Sequence, residues 1–210
     1  PIILNTETNV PNAENLSYFG NRNEAHMVYN FPLPPLLLHA LLGGTSRYLN
    51  AWQMAMPPAQ FGCAYFNYSS SHDGIGLRPA EGLIPENEVK QMIDTVVGFG
   101  GRVSMRTAPG GTESPYELNS SWMDAFKGTH DGPDEFQLDR YLASQAIVMG
   151  LEGVPAFYIH SLLATHNDEE GVERFGYNRA IIRKRLEYPD VLKELENEYS
   201  LSNIAFSRVC

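Results

Sequence analysis

Asn67-Tyr68-Ser69-Ser70-Ser71-His72-Asp73-Gly74-Ile75-Gly76 follows an apolar run over residues 62–66. The run ends in small polar residues, then a His-Asp pair, then two glycines. A buried strand ends this way when its C-terminal tip holds polar groups in a pocket. A second stretch, Ile2-Ile3-Leu4-Asn5-Thr6-Glu7-Thr8-Asn9-Val10-Pro11, repeats the design: an apolar strand, then a carboxylate at its tip. Two strands of one sheet that each deliver a carboxylate at the same end point to an acid-dependent enzyme site.

Working outward, buried strands are read over 2–6, 25–29, 62–70 and 154–160. They are short apolar runs without polar alternation, the pattern of strands covered on both faces. Between them lie helical patterns. Pro34 and Pro35 fit the first turn of a helix that runs on through Leu42. Residues 45–56 form a second helix, capped by Thr45 or Ser46. Residues 86–99 place Val89, Met92, Ile93, Val96 and Val97 on one face. Residues 134–150 place Leu138, Tyr141, Leu142, Gln145, Ala146 and Met149 on another. Short helices are read over 119–126 and 176–185, and two more over 191–199 and 201–209. Polar loops are expected over 12–23 and 161–174. The region 102–118 is irregular, with a short strand at 102–105 and a turn at 108–112. Strands alternating with helices predict an α/β fold with a parallel sheet. Polar strand tips followed by long loops suit part of an eight-stranded α/β barrel, whose active sites sit on those loops. An open doubly wound sheet is the alternative, but no glycine-rich phosphate fingerprint follows any strand.

The chain has 210 residues, 43% hydrophobic and 19% charged, with a formal net charge of -10. This acidic balance excludes a broad phosphate-binding footprint for nucleic acid. It leaves room for a small anion held by a few local donors. No apolar run approaches the ~20 residues of a membrane span. Cys63 and Cys210 are far apart and form no disulfide framework, which points to a reducing, cytoplasmic setting. The chain begins with Pro1 and enters a strand at once, so a piece of a longer protein is expected, one partial catalytic domain over 1–210.

Glu7 and Asp73 are the candidate catalytic pair. Paired carboxylates serve glycoside chemistry: one donates a proton to the leaving oxygen, and negative charge stabilises an oxocarbenium-like transition state. His72 adjoins Asp73 and is either a substrate contact or a capped core histidine. Tyr116 lies in a Gly/Pro-rich stretch after the third strand, of the sort that often carries function. Asn119 either contacts substrate there or caps the next helix. Arg102 and Arg106 flank the stretch, and Arg106 is the better placed for an anion. His160 is a weaker candidate at the fourth strand's tip; His26 and His39 belong to the core or its edge. Neither a His/Cys cluster nor an i, i+4 histidine pair is present, so no metal and no cofactor are expected.

These residues carry a resemblance. Thr6-Glu7-Thr8-Asn9-Val10-Pro11, Ser71-His72-Asp73-Gly74-Ile75-Gly76 and Gly153-Val154-Pro155-Ala156-Phe157-Tyr158 resemble successive strand motifs of the α-amylase family of glycoside hydrolases. Val28-Tyr29-Asn30-Phe31-Pro32-Leu33-Pro34-Pro35-Leu36 and Glu113-Ser114-Pro115-Tyr116-Glu117-Leu118-Asn119 resemble its sucrose phosphorylase branch. His160-Ser161-Leu162-Leu163 and Gly176-Tyr177-Asn178-Arg179-Ala180-Ile181 look like the glucosylglycerate and sucrose-phosphate phosphorylases of that branch. The resemblance implies strands five to eight of a (β/α)8 TIM barrel, its C-terminal half. It implies Glu7 as general acid/base, Asp73 as stabiliser of the transition state, His72 on sugar hydroxyls and Tyr116 at the acceptor and phosphate site. The implied partners are an α-glucoside and inorganic phosphate, with α-glucose 1-phosphate as product. The family's nucleophilic aspartate, in a Gly-x-Arg-x-Asp motif, has no match in this chain, so the chain alone is expected to be inactive. A hydrolase or transglucosidase of the same family and a non-catalytic carbohydrate-binding half-barrel are the alternatives.

Overall fold

The computed structural model describes residues 2–8, 10–21, 23–107 and 110–209. Asn9 of the first strand-tip motif, two residues of the turn read over 108–112, and Cys210 lie outside them.

Four short strands form a parallel sheet. β1 (Asn5–Thr6) leads through helix α1 (Asn12–Ser17) to β2 (Met27–Tyr29). Helices α2 (Leu33–Gly43) and α3 (Arg47–Ala55) lead to β3 (Ala64–Tyr68). β4 (Ile75–Gly76), α4 (Glu86–Gly98), β5 (Arg102–Thr107), β6 (Glu113–Asn119) and the two-residue ladder of β7 (Gly128–Thr129) and β8 (Gly132–Pro133) follow. Helix α5 (Gln137–Gly150) returns the chain to β9 (Val154–Ala156). Helices α6 (Ile159–Leu162), α7 (Glu169–Phe175), α8 (Tyr188–Glu196) and α9 (Leu201–Val209) complete it.

The parallel order is β1-β2-β3-β9, so spatial order follows chain order. A doubly wound sheet reverses its strand order at a switch point; this sheet has no reversal among the described residues. All four C-terminal ends therefore point the same way. Buried asparagines help to set the register. Asn67 on β3 accepts from Asn30 Nδ2 at 2.9 Å and donates to the Glu152 carbonyl, just before β9, at 3.0 Å. These bonds tie β3 to the residue that follows β2 and to the segment that leads into β9.

Helix α2 occupies the centre. Leu33, Leu36, Leu37, Leu38 and Leu42 are all buried, in one cluster with Ile75, Met92, Leu118, Trp122, Phe126 and Tyr141. A helix apolar on nearly every side is a core helix rather than a surface one. Pro34 and Pro35 sit in its first turn, where missing N–H groups are harmless.

Several expectations need correction. The stretch 2–4 is apolar but not buried: Ile2 is 80% exposed, because β1 pairs with β2 alone. Apolar composition signals burial only when a second layer is there to cover it. Residues 12–17, read as loop, form α1, and the end of the loop read over 161–174 falls in α7. The fourth strand ends at Ala156 and turns into α6. Most importantly, 102–119 is not irregular. β5 and β6 pair antiparallel, and β6 also pairs with β4, giving a three-stranded sheet of order β4-β6-β5. The expected helix over 119–126 is a single 3-10 turn, Asp124–Phe126. On α5 the buried face holds Tyr141, Ser144, Gln145 and Val148, whereas Ala146 and Met149 are exposed. Two polar residues are buried there because Trp122 Nε1 donates to Ser144 Oγ at 2.8 Å and Gln145 bonds Ser69. On α4, Val97 is 43% exposed.

A polar brace ties the segment after β6 to the segment after α6. Buried Asp124 accepts from His166 Nδ1 and from the Asn167 backbone N–H, each at 2.7 Å. Burial pushes the Asp124 carboxyl up, but these bonds outweigh it and hold the group below its ordinary value. The bond to Asp124 raises His166. Asp124 therefore contributes stability above the ordinary carboxylate range and loses it as pH falls through its lowered pKa. His166 contributes below about 6.5, its unfolded value, and loses it as pH rises through its raised pKa. In the full-length protein Asp124→Ala is expected to cost about 2 kcal/mol, as it leaves the half-buried Asn167 N–H without its charged acceptor. The melting-temperature gap between variant and wild type should be widest near pH 5–6 and shrink on both sides. A gap that kept growing above pH 8 would contradict the pairing.

Candidate active site

A cleft of about 280 Å³ opens at the C-terminal ends of the parallel strands. Glu7, Phe31, Ser71, His72, Asp73, Gly74, Gly76, Tyr116, Glu117 and Arg179 line it. Glu7 follows β1, Phe31 follows β2 and His72-Asp73 follow β3, so the shared polarity of the strands delivers all four to one mouth. One donor atom each from Glu7, His72 and Asp73 lies within 4.8 Å of the others. A larger cavity, 420 Å³, lies between α8, α9 and residues 163–167, and none of the candidate site residues lines it.

Gly74 makes the turn after Asp73. Its φ is +100°, and a Cβ there would stand 2.6 Å from the Leu118 carbonyl oxygen and 2.7 Å from Asn119 Nδ2. Both the conformation and the space require glycine. Asn119 Nδ2 donates to the Asp73 carbonyl at 3.1 Å, and Asn119 Oδ1 accepts from Ser104 Oγ at 2.6 Å. The tip of β3 is thereby fastened to the antiparallel sheet.

The electrostatics centre on Asp73. Its Oδ1 accepts from Arg179 Nη1 at 2.7 Å and from Arg183 Nη2 at 3.0 Å, and His72 Nε2 lies 3.6 Å away. Arg183 Nε also donates to the His72 carbonyl at 2.7 Å. Arg179 closes a fork on Glu117, Nε to Oε2 at 3.0 Å and Nη2 to Oε1 at 2.7 Å. That bond raises the guanidinium pKa above its ordinary value, so Arg179 is permanently charged. Two guanidinium groups already engage Asp73 Oδ1, an arrangement unsuited to a metal ligand. Beside the cleft, Tyr29, Phe31, Phe66 and Tyr68 form an aromatic cluster, with Tyr29 and Phe66 centroids 4.5 Å apart. Burial, reinforced by Tyr29, Glu7 and Asp73, holds the Tyr68 hydroxyl well above its ordinary pKa. Burial and Glu7 raise Tyr29.

Tyr116 reaches the cleft by a local irregularity. Ser104 pairs with Glu117 and Met105 with Pro115, leaving Tyr116 as the extra residue on β6. Such a bulge bends its strand and re-aims a side chain.

The structure thus brings Glu7, His72, Asp73 and Tyr116 together. It places the other two sequence candidates elsewhere. Arg106 points to Ser114 Oγ and Glu81, each at 3.3 Å, and does not line the cleft. Asn119 is fully buried and is the last residue of a strand, neither a helix cap nor part of the cleft wall. His160 is buried against Thr165 Oγ1 at 3.0 Å, and burial lowers its pKa. Sequence reasoning did not single out Glu117, Arg179 or Arg183. Glu117 and Arg179 both fall inside motifs that carry the family resemblance, which is the signal that marked them.

No family model matches the chain. Among solved structures, the sucrose 6F-phosphate phosphorylase of Thermoanaerobacter thermosaccharolyticum superposes with a TM-score of 0.80 over 99% of this chain and 39% of that one, at 23% identity. This establishes a partial α/β domain of that enzyme's fold. In sequence, the chain is similar to part of the phosphorylases of the sucrose phosphorylase branch. It is 44% identical over 206 residues to the glucosylglycerate phosphorylase of Spirochaeta thermophila, covering 98% of this chain and 35% of the relative. To the glucosylglycerate phosphorylase of Escherichia coli it is 42% identical over 205 residues, covering 97% of this chain and 36% of the relative. A sucrose phosphorylase from Bifidobacterium adolescentis is 29% identical over 205 residues. The chain spans about a third of the length of the curated relatives it matches.

Gly74→Ala provides a test of the site's construction. A side chain at this φ and this spacing is expected to destabilise the protein by more than about 1 kcal/mol and to swing Asp73 out of the cleft. The melting temperature of the full-length protein should fall by several degrees. An unchanged melting temperature would mean that the tip of β3 does not need this joint.

Proposed function

We propose that the chain is the C-terminal half of the (β/α)8 barrel of a retaining α-glucoside phosphorylase, strands five to eight, with glucosylglycerate as the glucoside. The observation that carries this reading is the convergence of Glu7, His72 and Asp73 within 4.8 Å at the C-terminal mouth of a parallel sheet. The exposed Ile2, Ile3 and Leu4 beside β1 and the 41% exposure of Val154 on β9 fit a sheet whose outer strands neighbour further strands.

In this reading Glu7 donates a proton to the glycosidic oxygen as the aglycone leaves. A nucleophilic aspartate, outside this chain, forms a covalent bond to the anomeric carbon. Asp73 stabilises the positive charge that develops on the sugar, and His72 orients the hydroxyls. Phosphate then attacks the glucosyl-enzyme, Glu7 takes its proton, and α-glucose 1-phosphate departs. Two displacements retain the anomeric configuration. Tyr116, aimed by the bulge, shapes the acceptor side, while Arg179, paired with Asp73 and Glu117, lines the cleft beside it. Cys63 is a free thiol, consistent with a reducing compartment such as the cytoplasm. Among the described residues no helix is long and apolar enough to cross a membrane.

Glucose 1-phosphate release from glucosylglycerate by the full-length protein should require phosphate. Release of free glucose at the same rate without phosphate would instead identify a hydrolase. The 210-residue chain alone should show no turnover. Glu7→Gln keeps the shape but cannot cycle a proton, and natural substrates should slow roughly 10²–10⁴-fold. α-Glucosyl fluoride, whose leaving group needs little protonation, should lose much less in the glucosylation step. Equal losses for both substrates would remove Glu7 from the role of acid.

A further inference from the structure

Glu117 has no role in the mechanism above, yet it is a carboxylate only 4% exposed that lines the cleft. Both its oxygens are taken by Arg179, in a fork that fixes the guanidinium plane. Its backbone is held on both sides: in the central strand of the antiparallel sheet, Glu117 pairs with Gly76 of β4 and Ser104 of β5. Arg179 sits in a 3-10 turn, Asn178–Ile182, that is itself anchored by Asn178 Nδ2 donating to the Val103 carbonyl at 3.0 Å. The third amine of the same guanidinium meets Asp73 at 2.7 Å. Three segments remote in sequence thus converge through one side chain.

The charges matter as much as the geometry. Asp73 receives two guanidinium groups on a single oxygen. Alone, those two would leave the group with a net positive charge. Glu117 returns the set of Asp73, Glu117, Arg179 and Arg183 to neutrality. We propose that Glu117 is a positioning residue: its buried carboxylate locks Arg179 against Asp73 and offsets the guanidinium charge, so that Asp73 keeps its negative charge for the sugar. This rests on the phosphorylase reading for the identity of the reaction.

The test is Glu117→Gln in the full-length protein. The variant is isosteric, loses the charge, and turns an N–H₂ group toward Arg179. A guanidinium displaced by about 1 Å should lower kcat roughly tenfold to hundredfold, with KM for the glucoside within about threefold, because the interaction acts on the transition state. The loss should be equal for glucosylglycerate and α-glucosyl fluoride, unlike that of Glu7→Gln, since protonation of the leaving group is untouched. Glu117→Asp, which restores the charge, should recover part of kcat. A kcat within twofold of wild type, or a loss confined to KM, overturns the assignment. Should Glu117→Gln fail to fold, Arg179→Lys keeps the charge and loses the fork; the same fall in kcat is expected, and wild-type kcat overturns the proposal. If wild type releases glucose without needing phosphate, the phosphorylase reading falls, and Glu117 is judged by the same kcat ratio on α-glucosyl fluoride. With no turnover of either substrate, exchange of the Arg179 Nε–H decides: slow in wild type and fast in Glu117→Gln supports the clamp, equal rates overturn it.

Discussion

The contact on which the site depends is the closeness of Gly74 to β6. A backbone without a side chain lies where a Cβ would stand 2.6 Å from the Leu118 carbonyl. Asn119 then reaches across to the Asp73 carbonyl, and Ser104 holds Asn119. This joint connects two sheets of different construction. The parallel sheet supplies direction: every strand delivers its following residues to one end. The antiparallel sheet supplies a wall against which the tip of β3 is pressed. Without the joint, Asp73 would be one more carboxylate on a loop, and Arg179, held by Glu117, would lose its second partner.

Charge in the cleft is local. The chain carries a net charge of -10, and burial, reinforced by Glu7 and at Tyr68 also by Asp73, raises the pKa of the Tyr29 and Tyr68 hydroxyls. An anion entering this field would be repelled if the acidic groups stood alone. Arg179 and Arg183 offset them within hydrogen-bond distance of Asp73. At such range a fixed guanidinium outweighs many distant, solvent-screened carboxylates. Overall acidity therefore excludes extended polyanions without excluding a small one.

Much of this was legible in the sequence. The four parallel strands, the helices α2 to α5 and the pairing of Glu7 with Asp73 all follow from apolar runs, helical spacing and strand-tip residues. The parallel order could be anticipated because consecutive strands separated by helices neighbour one another. What was not legible has a common physical character. β5 was read only over 102–105 and β6 was missed, because Pro115 and the extra residue at Tyr116 interrupt the alternation of 113–119 and only the pairing reveals a hairpin. Arg106 was preferred to Arg102 as an anion contact, and Arg179 was not weighed at all. Distance along the chain says nothing of a contact such as Arg179 with Asp73. Asn119 was read as a contact or a cap, whereas its buried amide is a fastening that depends on Gly74 arriving from elsewhere. On α5, Tyr141 and Gln145 were placed inward correctly, but Ser144, buried because Trp122 satisfies it, was missed, and Ala146 and Met149, also placed inward, are exposed.

The extra residue at Tyr116 has a wider consequence. A bulge separates the register of a hairpin into two independent parts. Below it, Glu117 to Asn119 are paired with Arg102 to Ser104 and carry the fastening to β3. Above it, Glu113 to Pro115 pair with Met105 to Thr107 in a register of their own. The outer part can therefore lengthen, shorten or slide without transmitting a shift to the inner one. A hairpin built this way can vary what approaches the cleft from above while the frame beneath stays fixed, so the rim and the floor of the cleft become separable properties of one strand.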